Sequence, residues 1–147
     1  MRAEGKRVVF TNGCFDVLHV GHLRYLREAR ELGDALVVGV NSDASVRRLK
    51  GPQRPIVPEE ERAEMLAGLA CVDYVTVFGE ATPIATIGRL RPHVHVKGGD
   101  YEAETLPETA VVRGGGGEVV IVPLVPGRST TDIVRRISQA VSETVSE

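Results

Sequence analysis

Apolar and polar positions along this chain follow two periods, and the period switches repeatedly. Arg7-Val8-Val9-Phe10-Thr11 reads as a first strand. Leu23, Leu26 and Ala29 then recur every three residues, and Gly33 follows as at a helix C-terminus. That helix is expected to begin near Val20 or Gly21. Ala35 to Val40 is almost wholly apolar, as in a central parallel strand. Asn41-Ser42-Asp43 offers caps for a short helix through Leu49. Pro58-Glu59-Glu60-Glu61 places proline and acids where a helix N-terminus prefers them, predicting a helix to about Ala70. Asp73 to Phe78 is a strand, and Thr82-Pro83 opens a helix reaching about Leu90. Val94-His95-Val96 and Glu118 to Val122 are further strands. Gly114 to Gly117 reads as a flexible turn entering the last of them. Ser129-Thr130-Thr131-Asp132 fits a capping box ahead of Ile133, Val134 and Ile137 on one helical face. The polar tail after Val141 is expected to fray.

This alternation predicts an α/β fold: a doubly wound, Rossmann-like, five-stranded parallel sheet with helices on both faces. At 147 residues the chain is expected to be a single domain over 1–147, large enough to bury a core. In such sheets ligands bind beyond the carboxyl ends of the strands, near the switch in strand order. The polar and glycine-rich segments fall there: Thr11 to His22, Asn41 to Asp43, Lys97 to Tyr101, and Gly127 to Thr131. Gly79-Glu80-Ala81 is less distinctive.

Composition narrows the classes. A formal net charge of −2 gives no general attraction to nucleic acid or to an anionic membrane. The apolar runs are too short for a membrane span. The first residues lead into a strand without a secretory apolar segment, so a cytoplasmic location is expected. Cys14 and Cys71 lie far apart, form no metal-type pair and read as free thiols.

Thr11-Asn12-Gly13-Cys14-Phe15-Asp16-Val17-Leu18-His19-Val20-Gly21-His22 carries the candidate chemistry. His22 falls in the first helical turn and His19 just before it. Unpaired N–H groups at that end favour an anion, and glycines let a phosphate approach the backbone. The local positive potential favours neutral imidazole, which still donates one hydrogen bond. Two other readings stand beside a phosphate site. Both histidines could be turn residues with local hydrogen bonds. Asp16, His19 and His22 could instead be zinc ligands, although no fourth ligand or general base is evident.

His19-Val20-Gly21-His22, preceded by Gly13-Cys14-Phe15-Asp16, resembles the HxGH signature of the nucleotidyltransferase superfamily, which is cytidylyltransferase-like. Asn41-Ser42-Asp43, Leu49-Lys50-Gly51 with Arg54-Pro55, Val72-Asp73-Tyr74-Val75, Lys97-Gly98-Gly99-Asp100-Tyr101 and Gly127-Arg128-Ser129-Thr130-Thr131 extend the resemblance over nearly the whole chain. They are similar to one subgroup, the adenylyltransferase domain for D-glycero-D-manno-heptose 1-phosphate, often fused to a sugar kinase. The resemblance implies that ATP and the sugar 1-phosphate give ADP-heptose and pyrophosphate. Mg²⁺ would be bound through the nucleotide phosphates and no metal by protein side chains. Any kinase step would need a separate protein acting upstream, and a homodimer is left open.

By the same resemblance His19, His22 and Lys50 are the catalytic candidates. Thr11, Asn12, Gly13, Cys14, Phe15, Gly21, Lys97, Gly98, Gly99, Asp100, Gly127, Ser129 and Thr130 are the nucleotide-binding ones. Lys50 would be a mobile cation closing on phosphate, against the plain reading of a surface lysine. Asp16 supports the histidine loop or acts on substrate. Asp43 contacts substrate or caps its helix. Arg62 either meets phosphate or pairs with Glu59 or Glu61. Related cytidylyltransferases carry an arginine where this chain has Leu124, and whether Arg128 substitutes is open. A cytidylyltransferase for glycerol 3-phosphate or another small phosphate, and a non-catalytic nucleotide-binding module, are the alternatives.

Overall fold

The computed structural model describes residues 4–99, 101–124 and 129–146, with side chains through 143. In chain order it runs β1 (Val8–Gly13), α1 (Val20–Arg30), β2 (Ala35–Asn41), α2 (Asp43–Lys50), α3 (Glu59–Ala67), β3 (Tyr74–Phe78), α4 (Ile84–Leu90), β4 (Val94–Gly98), α5 (Thr109–Gly114), β5 (Glu118–Val122) and α6 (Thr130–Ser146). A single 3₁₀ turn, Ala103–Thr105, precedes α5. The five strands are parallel and ordered β3-β2-β1-β4-β5. The expected sheet is therefore observed, with its switch in strand order between β1 and β4.

Alternation along β1 divides the core. Val9 joins Leu26, Ala29, Leu36, Val38, Val40, Leu66, Val94 and Val96 on the face covered by α1 and α3. Val8 and Phe10 join Val37, Ile87 and Val112 on the face covered by α4 and α5. Gly39 is required by this packing, because a Cβ there would lie 2.8 Å from the Phe10 ring.

Several boundaries differ from expectation. β1 continues two residues beyond Thr11, since Asn12 and Gly13 still pair with Gly39 and Val40. α3 stops at Ala67 rather than near Ala70, because Gly68 interrupts the pattern and a turn follows. α6 runs to Ser146, past the point where fraying is expected. The helix α5 has no strong signal in the sequence: it is six residues long and ends in glycine. No described helix is long and apolar enough to cross a membrane.

β1 and β4 pair through Val9–Val94 and Phe10–His95. Beyond that, the Thr11 hydroxyl donates to the Val96 carbonyl at 2.9 Å, and the Tyr25 hydroxyl reaches the same oxygen at 3.0 Å. Two side chains thus take over from the ladder where the switch point opens.

Candidate functional site

A cleft of about 630 Å³ lies over this switch point. Asn12, Gly13, Cys14, Phe15, Asp16, His19, Gly21 and His22 border it from the β1–α1 turn. Asn41, Leu49, Lys50 and Arg54 border it from the β2 side, Lys97, Gly98, Tyr101 and Glu108 from the β4 side, and Ser129, Thr130 and Thr131 from the start of α6.

The turn is built by its own side chains. His19 is the N-cap of α1, and its Nδ1 accepts from the Gly21 N–H at 3.0 Å. His22 Nδ1 accepts from the His19 N–H at 3.3 Å. This is a capping box written in histidine, satisfying two N–H groups that a helix end otherwise leaves open. An accepting Nδ1 fixes the neutral tautomer with its proton on Nε2. The rings stack with centroids 3.9 Å apart, and Phe15 lies 5.3 Å from His22. Burial, aided by the neighbouring His19, pushes the His22 pKa down to about 4. Both local hydrogen bonds and a proton on Nε2 follow from one geometry, so the local bonding of the structural reading is present and does not conflict with the phosphate reading. Phe15 has φ +49, a conformation that costs a non-glycine residue about 1 kcal/mol, and its ring packs against His22 in return. Asn12 adds a side-chain oxygen that is buried without a partner. Turned over, the same amide would present its NH₂ to an anion.

Asp16 is 2% exposed and engaged from three sides. It pairs with Arg54 Nε at 2.6 Å and accepts from the N–H groups of Ile56 and Val57 at 2.8 and 2.9 Å. Burial alone would raise its pKa. Those two N–H groups and Arg54 outweigh that and hold it below the usual carboxylate value. Its role is to tie the loop after α2 to the histidine turn. With Asp16 so engaged and both Nδ1 atoms used, the zinc arrangement is not built. Among the described residues no group of three or more His, Cys, Asp or Glu side chains could hold a metal ion.

Arg62 corrects the sequence reading. Its side chain is fully buried and pairs with neither Glu59 nor Glu61. Nε donates to Val57 O at 2.8 Å, and Nη1 to Cys14 O at 2.6 Å and Asn41 O at 2.8 Å. Nη2 meets Asp43 Oδ1 at 2.8 Å. It is a crosspiece joining three loops, not a phosphate ligand. Asp43 is corrected with it: Ser42 caps α2, while the Asp43 carboxylate is the partner of Arg62. Thr11 is likewise a buried support and does not border the cleft. Gly99, at φ +122, shapes the turn after β4 without bordering the cleft. Asp100, Gly127 and Arg128 lie outside the described residues.

Lys50 ends α2 and is exposed at the cleft, and Gly51 follows at φ +106, a value that favours glycine. Ser129 Oγ accepts from the Asp132 N–H at 3.0 Å, capping α6, and Thr130 donates to Val17 O at 3.1 Å. Both hydroxyls border the cleft while anchoring the helix. Burial raises the Cys14 thiol pKa despite the nearby Lys50, Arg62 and Arg54. Sequence reasoning missed Tyr25, Arg54, Leu106 and Glu108 as lining residues. Only Arg54 had a signal, as part of the Arg54-Pro55 pair.

The sequence model of the family described as cytidylyltransferase-like matches residues 10–136. The Bifunctional protein HldE of Syntrophotalea carbinolica is 60% identical over 136 residues, 92% of this chain and 28% of that one. Its counterpart in Geobacter sulfurreducens is 58% identical over 142 residues, 97% of this chain and 29% of that one. The chain thus spans less than a third of these curated relatives. A solved structure from Thermoplasma volcanium, described as a lipopolysaccharide core biosynthesis protein, superposes with TM-score 0.66 at 32% identity, covering 82% of this chain and 98% of its own. A protein of unknown function from Archaeoglobus fulgidus shares the fold, with TM-score 0.60 at 21% identity, covering 83% of this chain and 93% of its own.

Proposed function

The chain belongs to the cytidylyltransferase-like family of nucleotidyltransferases, and on that premise we propose that it transfers AMP from ATP to D-glycero-D-manno-heptose 1-phosphate, releasing pyrophosphate. The observation that carries the reading is the stacked histidine pair at the start of α1, with both Nδ1 atoms accepting backbone N–H groups, which puts each ring's proton on Nε2. Donors fixed before the substrate arrives need no reorganisation when charge builds on phosphoryl oxygens.

In this account the sugar phosphate oxygen attacks the α-phosphorus in line and the bond to pyrophosphate breaks. The protein forms no covalent intermediate. It orients the two phosphates and spreads the negative charge. His19 and His22 donate to the triphosphate at the N-terminus of α1, where the helix dipole assists. Lys50 and Arg54 bring positive charge from the β2 side, and Ser129 and Thr130 add donors at a second helix start. Mg²⁺ would arrive with the triphosphate, supplying further charge neutralisation. A sugar kinase acting upstream would supply the acceptor. The high identity to the HldE proteins and the likeness to a lipopolysaccharide core biosynthesis protein support a sugar phosphate as acceptor.

The test crosses four nucleoside triphosphates with a panel of sugar and polyol phosphates and reads pyrophosphate. Release with ATP and the heptose 1-phosphate is expected. Release with CTP and glycerol 3-phosphate instead would reassign the enzyme, and no release with any pair would make it a binding module.

A further inference from the structure

The β4 side of the cleft contains a buried polar pair that the phosphate chemistry does not use. His95 lies on β4 with no exposure, its ring stacked on Phe10 at 5.6 Å between centroids. Its Nε2 lies 3.2 Å from Oε1 of Glu108, which immediately precedes α5 and borders the cleft. The other ring nitrogen, Nδ1, is buried without a partner. An apolar residue would fill this core position without that cost. The one gain visible for the histidine is its bond to Glu108. With Nε2 donating, the histidine holds the Glu108 carboxylate at the edge of the cleft.

We infer that Glu108, held in position by His95, accepts the ribose hydroxyls of the bound nucleotide. A carboxylate has about four acceptor positions, and His95 takes one. Glu108 would repel phosphate, so it addresses an uncharged donor. The surroundings say which donor. Tyr25, Tyr101, Leu106 and Leu124 give this side of the cleft aromatic and apolar walls suited to a planar base, while His19, His22, Lys50 and Arg54 gather the phosphate donors elsewhere. The ribose lies between base and phosphates, and its two adjacent hydroxyls match two carboxylate oxygens. An exocyclic base amine suits Glu108 less well, because the neighbouring ring nitrogen is an acceptor that the carboxylate repels. The hydrogen bond from His95 favours the ionised form of Glu108 and outweighs the opposing effect of burial, and Lys97 adds a smaller push in the same direction. His95 is a positioning residue in this account.

The inference rests on the nucleotide-binding reading above, and calorimetry separates the two. ATP, 2′-deoxy-ATP and 3′-deoxy-ATP are titrated into the parent chain, Glu108→Gln and Glu108→Asp. A lost hydrogen bond to a charged group is worth about tenfold in affinity, so the parent should bind at least one deoxynucleotide about tenfold more weakly than ATP. In Glu108→Gln that preference should shrink to about twofold or less, with ATP itself weakened. Glu108→Asp should retain part of it. His95→Leu should lower the preference while leaving the inorganic triphosphate affinity unchanged, which a general loss of structure would not do. Equal binding of all three nucleotides by the parent overturns the inference and leaves the nucleotide reading standing. So does an undiminished preference in Glu108→Gln. Failure of every nucleoside triphosphate to bind the parent overturns both.

Discussion

The histidine turn and the β4–α5 connection border one cleft, but their polar groups are held by opposite means. In the turn, His19, Gly21 and His22 bond one another within four consecutive positions. Across the sheet, His95 reaches Glu108 over 13 positions, and Thr11 reaches Val96 over 85. The local arrangement is set by the helix N-terminus that it caps. The long-range one exists only while strand register and helix docking hold. The two histidine donors thus sit on the part of the cleft least dependent on the rest of the fold, and the carboxylate assigned to the nucleoside sits where tertiary structure brings strangers together.

Removing a long-range crosspiece should have the largest effect. Arg62→Met removes the partner of Asp43 and the donor to three backbone carbonyls, which should cost roughly 3 kcal/mol of stability in urea unfolding. A cost under about 0.5 kcal/mol would mark Arg62 as dispensable. Breaking the local arrangement should spare the fold and stop the chemistry. His19→Ala and His22→Ala should each lower turnover about 10²-fold or more, with circular dichroism unchanged apart from a slight loss from the cap. Near-normal turnover in both would remove the phosphate assignment.

Lys50 sharpens the contrast, because it belongs to neither scheme. It stands exposed beside Gly51 and can add its charge late, as negative charge concentrates on the departing pyrophosphate. Lys50→Ala should therefore lower kcat by about tenfold or more while changing KM for ATP only slightly, and Lys50→Arg should restore it in part. A change confined to KM would make the lysine a uniform binder. The smallest effect is on stability against pH. The folded-state pKa of His22, about 4, lies below the ordinary 6.5, so folding favours the neutral ring. That contribution is complete above pH 6.5 and is lost as pH falls towards 4. Asp16, held below 3.8, adds its own loss only at lower pH. Thermal midpoints should drop by a few degrees between pH 7 and 4.5, and His22→Ala should flatten that slope.

The sequence carried what is local. Strand and helix alternation, the start of α1, and the glycine and histidine spacing of the turn were all legible within short windows. Arg62 was not, because its neighbours Glu59 and Glu61 offered nearer partners than the three loops that it joins in space. Glu108 was hidden for the same reason: nothing near it in the chain indicates His95. The helix α5 is too short to show a periodic pattern, and its place is set by packing against the sheet.

Nitrogen NMR of the histidine rings at pH 7 tests the central claim most directly, that His19 and His22 are neutral donors through Nε2. With ¹⁵N-labelled histidine, both rings should show a proton on Nε2 and an unprotonated Nδ1, and ATP should shift the two Nε2–H signals while leaving each Nδ1 unprotonated. Imidazolium rings, protons on Nδ1, or Nε2–H signals unmoved by saturating ATP would contradict it.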